Sequence, residues 1–333
     1  MKGSYEVRAR NVTRLSLFLA AAAAVSVGCK GDAPDPVQTG GTGQAIDSLV
    51  TADWLAEHLD DPDLVILDCT VLVEPTEDGG MRSVSGLSGY EAAHIPSAGF
   101  ADLLGALSDA DSPLEFAVPD PQEFASAMGA LGVGDDTRVV LYDASGSVWA
   151  ARVWWMLRWI GFDRAALLDG GLDAWVEGRH WVSTDPAGHP PRTLTVRLRP
   201  DLIANRDEVF AAIDDAGVEL IDSLPEAHYR GEMAMYARAG HIPSAVNVPV
   251  FAAFDEHGRF RPQNELETLF GGDRDRRAIT YCGGGIAAAS NAFIMTRLGF
   301  TDVAVYTASL QEWAADPANP METSEDSAGE AMD

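Results

Sequence analysis

The sequence has few cysteines, with only Cys29, Cys69 and Cys282 among 333 residues. Small exported domains without a large core usually carry several disulfides, and zinc sites need cysteines or histidines at short, regular spacings. No Cys-x-x-Cys or His-x3-His spacing occurs among the cysteines and the seven histidines. The sequence therefore predicts neither a disulfide scaffold nor a metal site, and it implies no cofactor.

Basic residues are also scarce: the chain has 23 Lys and Arg but 51 Asp and Glu, which gives a formal net charge of −28. Proteins that bind nucleic acid or anionic membrane surfaces neutralise phosphates with clustered Lys and Arg. We therefore expect neither partner here, and the acidic surface is expected to keep the protein soluble. The length and the 47% of hydrophobic residues suffice for two domains with sizeable cores.

The apolar run over 15–27 is too short to span a bilayer as a helix, and it follows a stretch, 2–14, with four basic residues and one acidic residue. This order predicts a secretory signal peptide over 1–28. The segment Ser26-Val27-Gly28-Cys29 resembles a bacterial lipobox, which implies lipidation of Cys29 and a membrane-anchored protein facing the periplasm. The alternative is ordinary cleavage nearby and a soluble periplasmic protein.

Two segments are predicted to lie outside the folded domains. Residues 29–46 are rich in Gly, Asp, Pro and Thr and are predicted to form a flexible tether. Residues 318–333 are small, acidic and aperiodic, and they are predicted to form a disordered tail.

The chain contains an internal repeat. His94-Ile95-Pro96-Ser97-Ala98 recurs at 241–245, Trp175 matches Trp313, and Asp143 falls opposite Cys282. Matching order with small differences in spacing indicates two copies of one fold. His94 and His241 precede Ile-Pro in both copies, so we expect them to form turns.

Each copy alternates apolar strands, such as 64–67 and 139–142, with helical segments. This pattern predicts an α/β fold with a mostly parallel sheet covered by helices on both faces. The two domains are expected over 47–183 and 201–317, joined by a linker over 184–200 that contains Pro and Gly.

Cys69 follows a strand without a glycine-rich loop, so it is expected to be a small buried residue.

The segment 278–288 reads as strand, loop and helix around Cys282. The loop and helix start comprise Gly283, Gly284, Gly285, Ile286, Ala287 and Ala288, whose N–H groups can all point at the sulfur because no proline interrupts them. A cysteine at a helix N-terminus has its pKa lowered from ~8.5 towards ~3.5–7.5, so Cys282 is predicted to be a nucleophile at neutral pH. The alternative is a buried structural thiol.

The sequence Tyr-Cys-Gly-Gly-Gly-Ile-Ala-Ala at 281–288 resembles the active-site loop of the tandem-domain rhodanese-type sulfurtransferases. The resemblance covers both domains, and it implies that Cys282 carries a persulfide during turnover. It also implies that the first domain is an inactive structural half, because Asp143 stands where the cysteine would be. Phosphatases of the same fold carry an arginine six residues after the cysteine, and Ala288 occupies that place, which disfavours phosphate chemistry.

The resemblance further implies that two basic residues hold an anionic sulfur donor. One expected arginine position is His228 in this sequence, Arg238 is the candidate for the other, and Arg230 is a possible substitute. For each arginine the alternative is an ordinary surface residue.

The donor is harder to assign from the resemblance. Members that use 3-mercaptopyruvate carry a serine, a threonine and a histidine where this chain has Gly284, Ala287 and Phe116. Members that use thiosulfate carry basic residues directly after the cysteine, where this chain has Gly283 and Gly284. Thiosulfate releases sulfite, which needs no proton to leave, whereas 3-mercaptopyruvate releases an enolate, which benefits from a proton donor. Because Gly284, Ala287 and Phe116 cannot donate a proton, the sequence favours thiosulfate as the donor. The predicted function is sulfur transfer to a thiol, cyanide or protein acceptor; the alternative is a non-catalytic module that binds anions or a partner.

Overall fold

The computed structural model describes residues 46–77, 80–186 and 188–323. The predicted signal peptide and the lipidation site at Cys29 lie outside the described residues, as do 29–45 of the predicted tether and 324–333 of the predicted tail. Within the described part of the chain, no helix is long and apolar enough to cross a membrane.

The first domain is built on a five-stranded parallel sheet with the order β1-β7-β6-β2-β5, beside an antiparallel hairpin formed by β3 and β4. Its strands are β1 (Leu49–Val50), β2 (Leu64–Asp68), β3 (Val71–Pro75), β4 (Met81–Ser85), β5 (Gly99–Phe100), β6 (Arg138–Tyr142) and β7 (Ala165–Leu168). Its helices are α1 (Ala52–His58), α2 (Leu87–Ala92), α3 (Pro121–Ala130), α4 (Val148–Trp159) and α5 (Gly171–Glu177).

The second domain repeats this sheet with the order β8-β12-β11-β9-β10. Its strands are β8 (Ile203–Ala204), β9 (Val218–Asp222), β10 (Val246–Asn247), β11 (Arg277–Tyr281) and β12 (Val303–Tyr306). Its helices are α6 (Arg206–Ala212), α7 (Glu226–Tyr229), α8 (Gln263–Phe270), α9 (Ile286–Arg297) and α10 (Ser309–Trp313), with 3-10 turns at Pro200–Leu202 and Val250–Ala253. Two identical strand orders confirm the predicted fold class.

Local sequence explains where several helices begin. The Thr51 hydroxyl accepts the Trp54 N–H at the start of α1, and Asn205 forms a capping box with Glu208 at the start of α6. Both arrangements satisfy N–H groups that have no acceptor inside the helix. The central strands β2 and β6 are buried along their whole length, as expected for parallel strands covered on both faces.

The two domains meet along α4 and α9, the helices that follow the Asp143 and Cys282 loops. The rings of Trp154 and Phe293 pack edge to face across this contact, with centroids 4.8 Å apart. Because each helix begins at the loop of its own domain, the packing places each loop close to the opposite domain.

The predicted disordered tail is wrong for residues 318–323. Asn319 is buried and donates from its side chain to the Trp313 carbonyl over 3.1 Å, and the Glu322 N–H donates to the His241 carbonyl over 2.9 Å. Polar and main-chain contacts order this segment, so it lacks the apolar periodicity by which a sequence reveals an ordered element. Ile46, placed in the tether by the sequence, also packs partly buried against the first domain.

The described residues of the predicted linker before Pro200, 184–186 and 188–199, form no helix or strand and run along the first domain. Its Arg197 and Arg199 N–H groups donate to the carbonyls of Ile160 and Trp159. The segment is therefore fixed to the first domain by main-chain hydrogen bonds.

Candidate active site

Cys282 directly follows β11, the central strand of the second sheet, and α9 begins four residues later. Its side chain is buried within the described structure. Gly285 closes the loop with a φ of +81°, and a Cβ there would lie 2.6 Å from the Thr307 carbonyl oxygen. Only glycine fits this position without strain, so the third glycine of the loop is explained by backbone geometry.

Hydrogen bonds fix both the sulfur and the main chain of Cys282. The Gly285 N–H donates to Sγ over 3.1 Å. The Cys282 N–H donates to the Ser309 hydroxyl over 3.1 Å, and that hydroxyl donates to the Tyr306 carbonyl over 2.7 Å. The Leu310 N–H donates to the Cys282 carbonyl. The loop is therefore held rigidly against the start of α10.

The sulfur lies at the N-terminus of α9, where the helix itself leaves N–H groups unpaired. Ile286, Ala287 and Ala288 form the first turn of α9, and first-turn N–H groups have no acceptor within a helix. Together with the helix dipole, they make this end of α9 favourable for negative charge.

The first domain shows directly what such a loop binds. The buried carboxylate of Asp143 accepts four main-chain hydrogen bonds: Oδ1 accepts the N–H groups of Ser145 (2.7 Å) and Ser147 (2.9 Å), and Oδ2 accepts those of Trp149 and Ala150 (2.9 Å each). Burial raises the pKa of Asp143, and the N–H donors oppose that rise. The Asp143 carboxylate therefore fills the anion site in the domain whose loop has no cysteine, which agrees with a structural role for Asp143.

A buried arginine from the first domain reaches the Cys282 loop. Arg152, on α4, is 1% exposed; its Nη2 donates to the Phe116 carbonyl (2.8 Å) and its Nη1 to the Gly285 carbonyl (3.3 Å). Nε has no partner in the described structure. Burial lowers the pKa of Arg152 to about 10, and the charge of Cys282 acts in the opposite direction. Sequence reasoning missed Arg152, although a charged residue in the middle of an apolar helix was a usable signal.

Two further side chains lie over the glycines that follow Cys282. A Cβ at Gly283 would lie 2.5 Å from the hydroxyl of Tyr236, and one at Gly284 would lie 3.3 Å from Nε2 of Gln311. The Gln311 amide exchanges two hydrogen bonds with the main chain of Glu115 in the first domain, at 3.0 and 3.1 Å. The first domain is thus anchored beside the sulfur. Sequence reasoning missed Tyr236, because no motif connects it to the loop.

Comparison with known proteins agrees with this geometry. The Rhodanese-like domain profile matches the chain twice, over residues 51–178 and 205–316. The chain belongs to the rhodanese family.

Similar proteins include the 3-mercaptopyruvate sulfurtransferase of Escherichia coli K12, 34% identical over 280 residues that cover 82% of this rhodanese and 97% of the relative. The thiosulfate sulfurtransferase of Rattus norvegicus is 31% identical over 279 residues, covering 80% and 91% respectively. A crystal structure of a 3-mercaptopyruvate sulfotransferase from Escherichia coli superposes with a TM-score of 0.71 at 33% identity, covering 79% of this chain and 99% of that one. This rhodanese is a sulfurtransferase, as predicted.

The arginine expected to bind the donor, Arg238, has another role in this rhodanese. Its guanidinium donates to four main-chain carbonyls, those of Trp313 (3.0 Å), Ala314 (3.0 Å), Asp316 (2.7 Å) and Asn319 (2.7 Å). The positive charge lies where the C-terminal carbonyls of α10 collect, which is favourable. The structure therefore favours a structural role over donor binding for Arg238.

The other two predicted donor-binding residues also have partners away from the loop. Arg230 is exposed and forms ion pairs with Glu226 and Glu232, and Nδ1 of His228 is 3.1 Å from the Met233 carbonyl oxygen. None of the described hydrogen bonds or ion pairs joins Arg230, Arg238 or His228 to the Cys282 loop. Matching charged residues to family positions does not reveal that the partners of Arg230, Arg238 and His228 are carbonyl and carboxylate groups.

The other cysteine in the described structure, Cys69, is a buried free thiol, as its sequence context predicted. Burial raises its pKa well above the ordinary range, and the carboxylates of Asp68 and Asp143 raise it further. Cys69 is therefore protonated and unreactive at neutral pH.

The repeated histidines hold turns in both domains. His94 stacks on Tyr90 and His241 on Tyr229, and in each pair Nδ1 lies 2.7 Å from the carbonyl oxygen of the tyrosine. The same contacts recur in the first domain, whose loop has no cysteine, which agrees with the turn-forming role expected from the sequence.

Proposed function

We propose that the Cys282 thiolate takes a sulfane sulfur from a small anionic donor, carries it as a persulfide, and passes it to a nucleophilic acceptor such as a thiol, cyanide or a protein cysteine. The observation that carries the proposal is Asp143. The equivalent loop of the first domain surrounds a carboxylate with four N–H groups. A loop of this shape stabilises negative charge without any side chain.

The Asp143 geometry also indicates where the persulfide charge lies. The terminal sulfur of a persulfide is one bond beyond Sγ, as a carboxylate oxygen is one bond beyond Cγ. Oδ2 of Asp143 accepts the N–H groups of the second and third residues of α4. Ala287 and Ala288 are the second and third residues of α9, so their N–H groups are the donors for the terminal sulfur. The charge of Arg152 compensates the same anion from the first domain.

The donor preference follows from which charges lie near the loop. Arg230 and Arg238 are the arginines that the sequence offers to hold an anionic donor, and each has other partners in the structure: Arg230 pairs with Glu226, and Arg238 donates to main-chain carbonyls. The hydroxyl of Tyr236 lies beside Gly283, in a place that the sequence left without a proton-bearing group. We therefore propose 3-mercaptopyruvate as the better donor, which reverses the order expected from the sequence. The name of the Escherichia coli relative supports this order.

The experiment is intact-protein mass spectrometry after incubation with each donor, followed by side-by-side kcat/KM values at pH 7 with cyanide as acceptor. We expect a gain of ~32 Da, one sulfur atom, on Cys282, and loss of both the adduct and turnover in Cys282→Ser. Turnover that survives Cys282→Ser would contradict the persulfide mechanism. A tenfold or greater advantage for thiosulfate would restore the donor order expected from the sequence. A protein that binds the donors without a mass gain would be the non-catalytic module.

A further inference from the structure

Tyr236 occupies the space that a side chain directly after Cys282 would need. It lies in the segment between α7 and β10 and packs, partly buried, against the core. A Cβ at Gly283 would be 2.5 Å from its hydroxyl oxygen and 3.1 Å from its ring carbon Cε2. Such distances are far below van der Waals contact, so the phenol hydroxyl and a side chain at position 283 exclude each other.

The Tyr236 hydroxyl is unpaired in a protein whose other described tyrosines have partners. The hydroxyls of Tyr90, Tyr229 and Tyr306 donate to Ala98, Ala245 and Glu312, and those of Tyr142 and Tyr281 accept main-chain N–H groups. Within the described residues, no hydrogen bond engages Tyr236. A partly buried phenol that has no protein partner and lies beside the nucleophile is placed to donate a hydrogen bond to a bound ligand.

The other polar side chains around the loop are already engaged. The Gln311 amide bonds to the main chain of Glu115, the Ser309 hydroxyl to the Tyr306 carbonyl, and the Arg152 guanidinium to the carbonyls of Phe116 and Gly285. Among these groups, the Tyr236 hydroxyl and Nε of Arg152 are the side-chain donors without a partner in the described structure, and the hydroxyl is the one that lies beside Gly283.

Tyr236 keeps its proton at physiological pH. Burial raises its pKa well above the usual value for a phenol, and the nearby charges of Cys282 and Glu115 raise it further. A neutral phenol donates a hydrogen bond and does not act as a base.

Building on the proposed persulfide chemistry, we infer that Tyr236 is a catalytic residue that donates a hydrogen bond to the keto oxygen of 3-mercaptopyruvate as the sulfur leaves. The Cys282 thiolate attacks the donor sulfur, so that the Sγ–S bond forms while the C–S bond of the donor breaks. The electron pair of the C–S bond becomes the enolate of pyruvate, whose negative charge lies on the keto oxygen. The proton of the donor thiol remains on the persulfide and then passes through water to the enolate carbon. The products are the persulfide anion and pyruvate.

A hydrogen bond to the enolate oxygen is stronger in the transition state than in the bound donor, which is the condition for catalysis. Thiosulfate leaves as sulfite, which spreads its charge over its own oxygens and forms no enolate. The Tyr236 hydroxyl thus favours 3-mercaptopyruvate over thiosulfate. It supplies the hydrogen-bond donor that Gly284 and Ala287, which have no hydroxyl, cannot supply.

The test is Tyr236→Phe, which keeps the ring and removes only the hydroxyl, with Tyr229→Phe as the matched control because the Tyr229 hydroxyl donates to the Ala245 carbonyl. We measure kcat/KM for 3-mercaptopyruvate and thiosulfate with cyanide as acceptor, and persulfide formation by mass. We expect Tyr236→Phe to lower kcat/KM for 3-mercaptopyruvate by ~10²-fold and to change that for thiosulfate by less than about threefold. The control should change neither donor by more than about threefold.

A second variant, Gly283→Ala, places a methyl group against the hydroxyl and should show the same selective loss. An equal loss with both donors in Tyr236→Phe, or no loss with either, would overturn the role of Tyr236. If the wild-type protein forms no persulfide with either donor, the proposed function itself fails, and this outcome is distinct from a failure confined to the variant.

Discussion

Arg152 and Gly285, which belong to different domains, are joined by a hydrogen bond in which the buried guanidinium donates to the carbonyl over 3.3 Å. Gly285 in turn donates its N–H to Sγ of Cys282. The first domain, whose own loop has Asp143 in place of a cysteine, therefore contributes a positive charge to the Cys282 loop. A buried cation without a carboxylate partner is costly unless an anion compensates it, and under the proposed function that anion is the Cys282 thiolate or persulfide.

Replacing Arg152 should slow the chemistry of Cys282 without unfolding the protein. In Arg152→Met, we expect alkylation of Cys282 by iodoacetamide at pH 7 to slow about tenfold, because the thiolate loses its compensating charge. The unfolding free energy should change by less than ~2 kcal/mol, since two lost carbonyl bonds are offset by no longer burying a cation. Arg152→Lys should retain most of the rate, and Arg158→Met, on the same helix, is the control. An unchanged alkylation rate in Arg152→Met would refute the electrostatic role.

Asp143 should be a major contributor to stability. Asp143→Ala leaves four N–H groups without their acceptor in a buried loop, so we expect the unfolding free energy to fall by ~3–5 kcal/mol in urea denaturation. The exposed Asp60→Ala is the control and should stay within ~0.5 kcal/mol of the wild type. A small effect at Asp143 would mean that water replaces the carboxylate, and that the loop does not require an anion.

Asp222 should make stability depend on pH. It ends β9, is buried, accepts the Leu224 N–H at Oδ1, and has no described partner at Oδ2. Burial raises its pKa to about 6 from the ordinary value of 3.8. The native state therefore binds the proton more tightly than the unfolded state, and this stabilisation is present below about pH 4 and is lost as the pH rises through about 6.

The measurement is the unfolding free energy of Asp222→Asn and the wild type between pH 4 and pH 8. Asparagine keeps an acceptor for Leu224 and has no charge to bury. The stability of Asp222→Asn relative to the wild type should rise by ~2 kcal/mol across this range, and Asp60→Asn should show no such trend. A difference that does not vary with pH would show that Asp222 is ionised in the native state at every pH tested.

Cys29 lies outside the described residues, and we propose from the sequence that it is lipidated after export. In a bacterial host, labelled fatty acid should enter the wild type and should be absent from Cys29→Ala. The Arg152→Met variant serves as a control, because a substitution in the folded domains should leave the labelling unchanged. Wild-type protein recovered soluble and unlabelled from the periplasm would reject lipidation while retaining export.

The features that the sequence predicted and the structure shows are those that depend on local or periodic patterns. The strand-loop-helix segment around Cys282 was predicted because a buried strand, three glycines and a helix follow one another in the chain, and the Gly285 N–H donates to Sγ from within the same loop. The two-domain fold was found because the His-Ile-Pro-Ser-Ala repeat and the alternation of strands and helices are periodic. Arg238, Arg230 and His228 were assigned by matching charge to a family position, and charge alone does not reveal which carbonyls or carboxylates lie nearby.

The sequence by itself determined the fold class, the strand-loop-helix motif that contains Cys282, and the presence of Asp143 at the matching place in the first domain, because apolar periodicity and such motifs are properties of short segments. Only the tertiary structure decided that Arg152 crosses from the first domain to the Cys282 loop, that Tyr236 fills the space beside Gly283, and that residues 318–323 pack against His241 and Trp313. These contacts join residues far apart in the chain. Their geometry depends on the packing of α4 on α9 and on the path of the segment between α7 and β10. Neither can be predicted from a local sequence pattern.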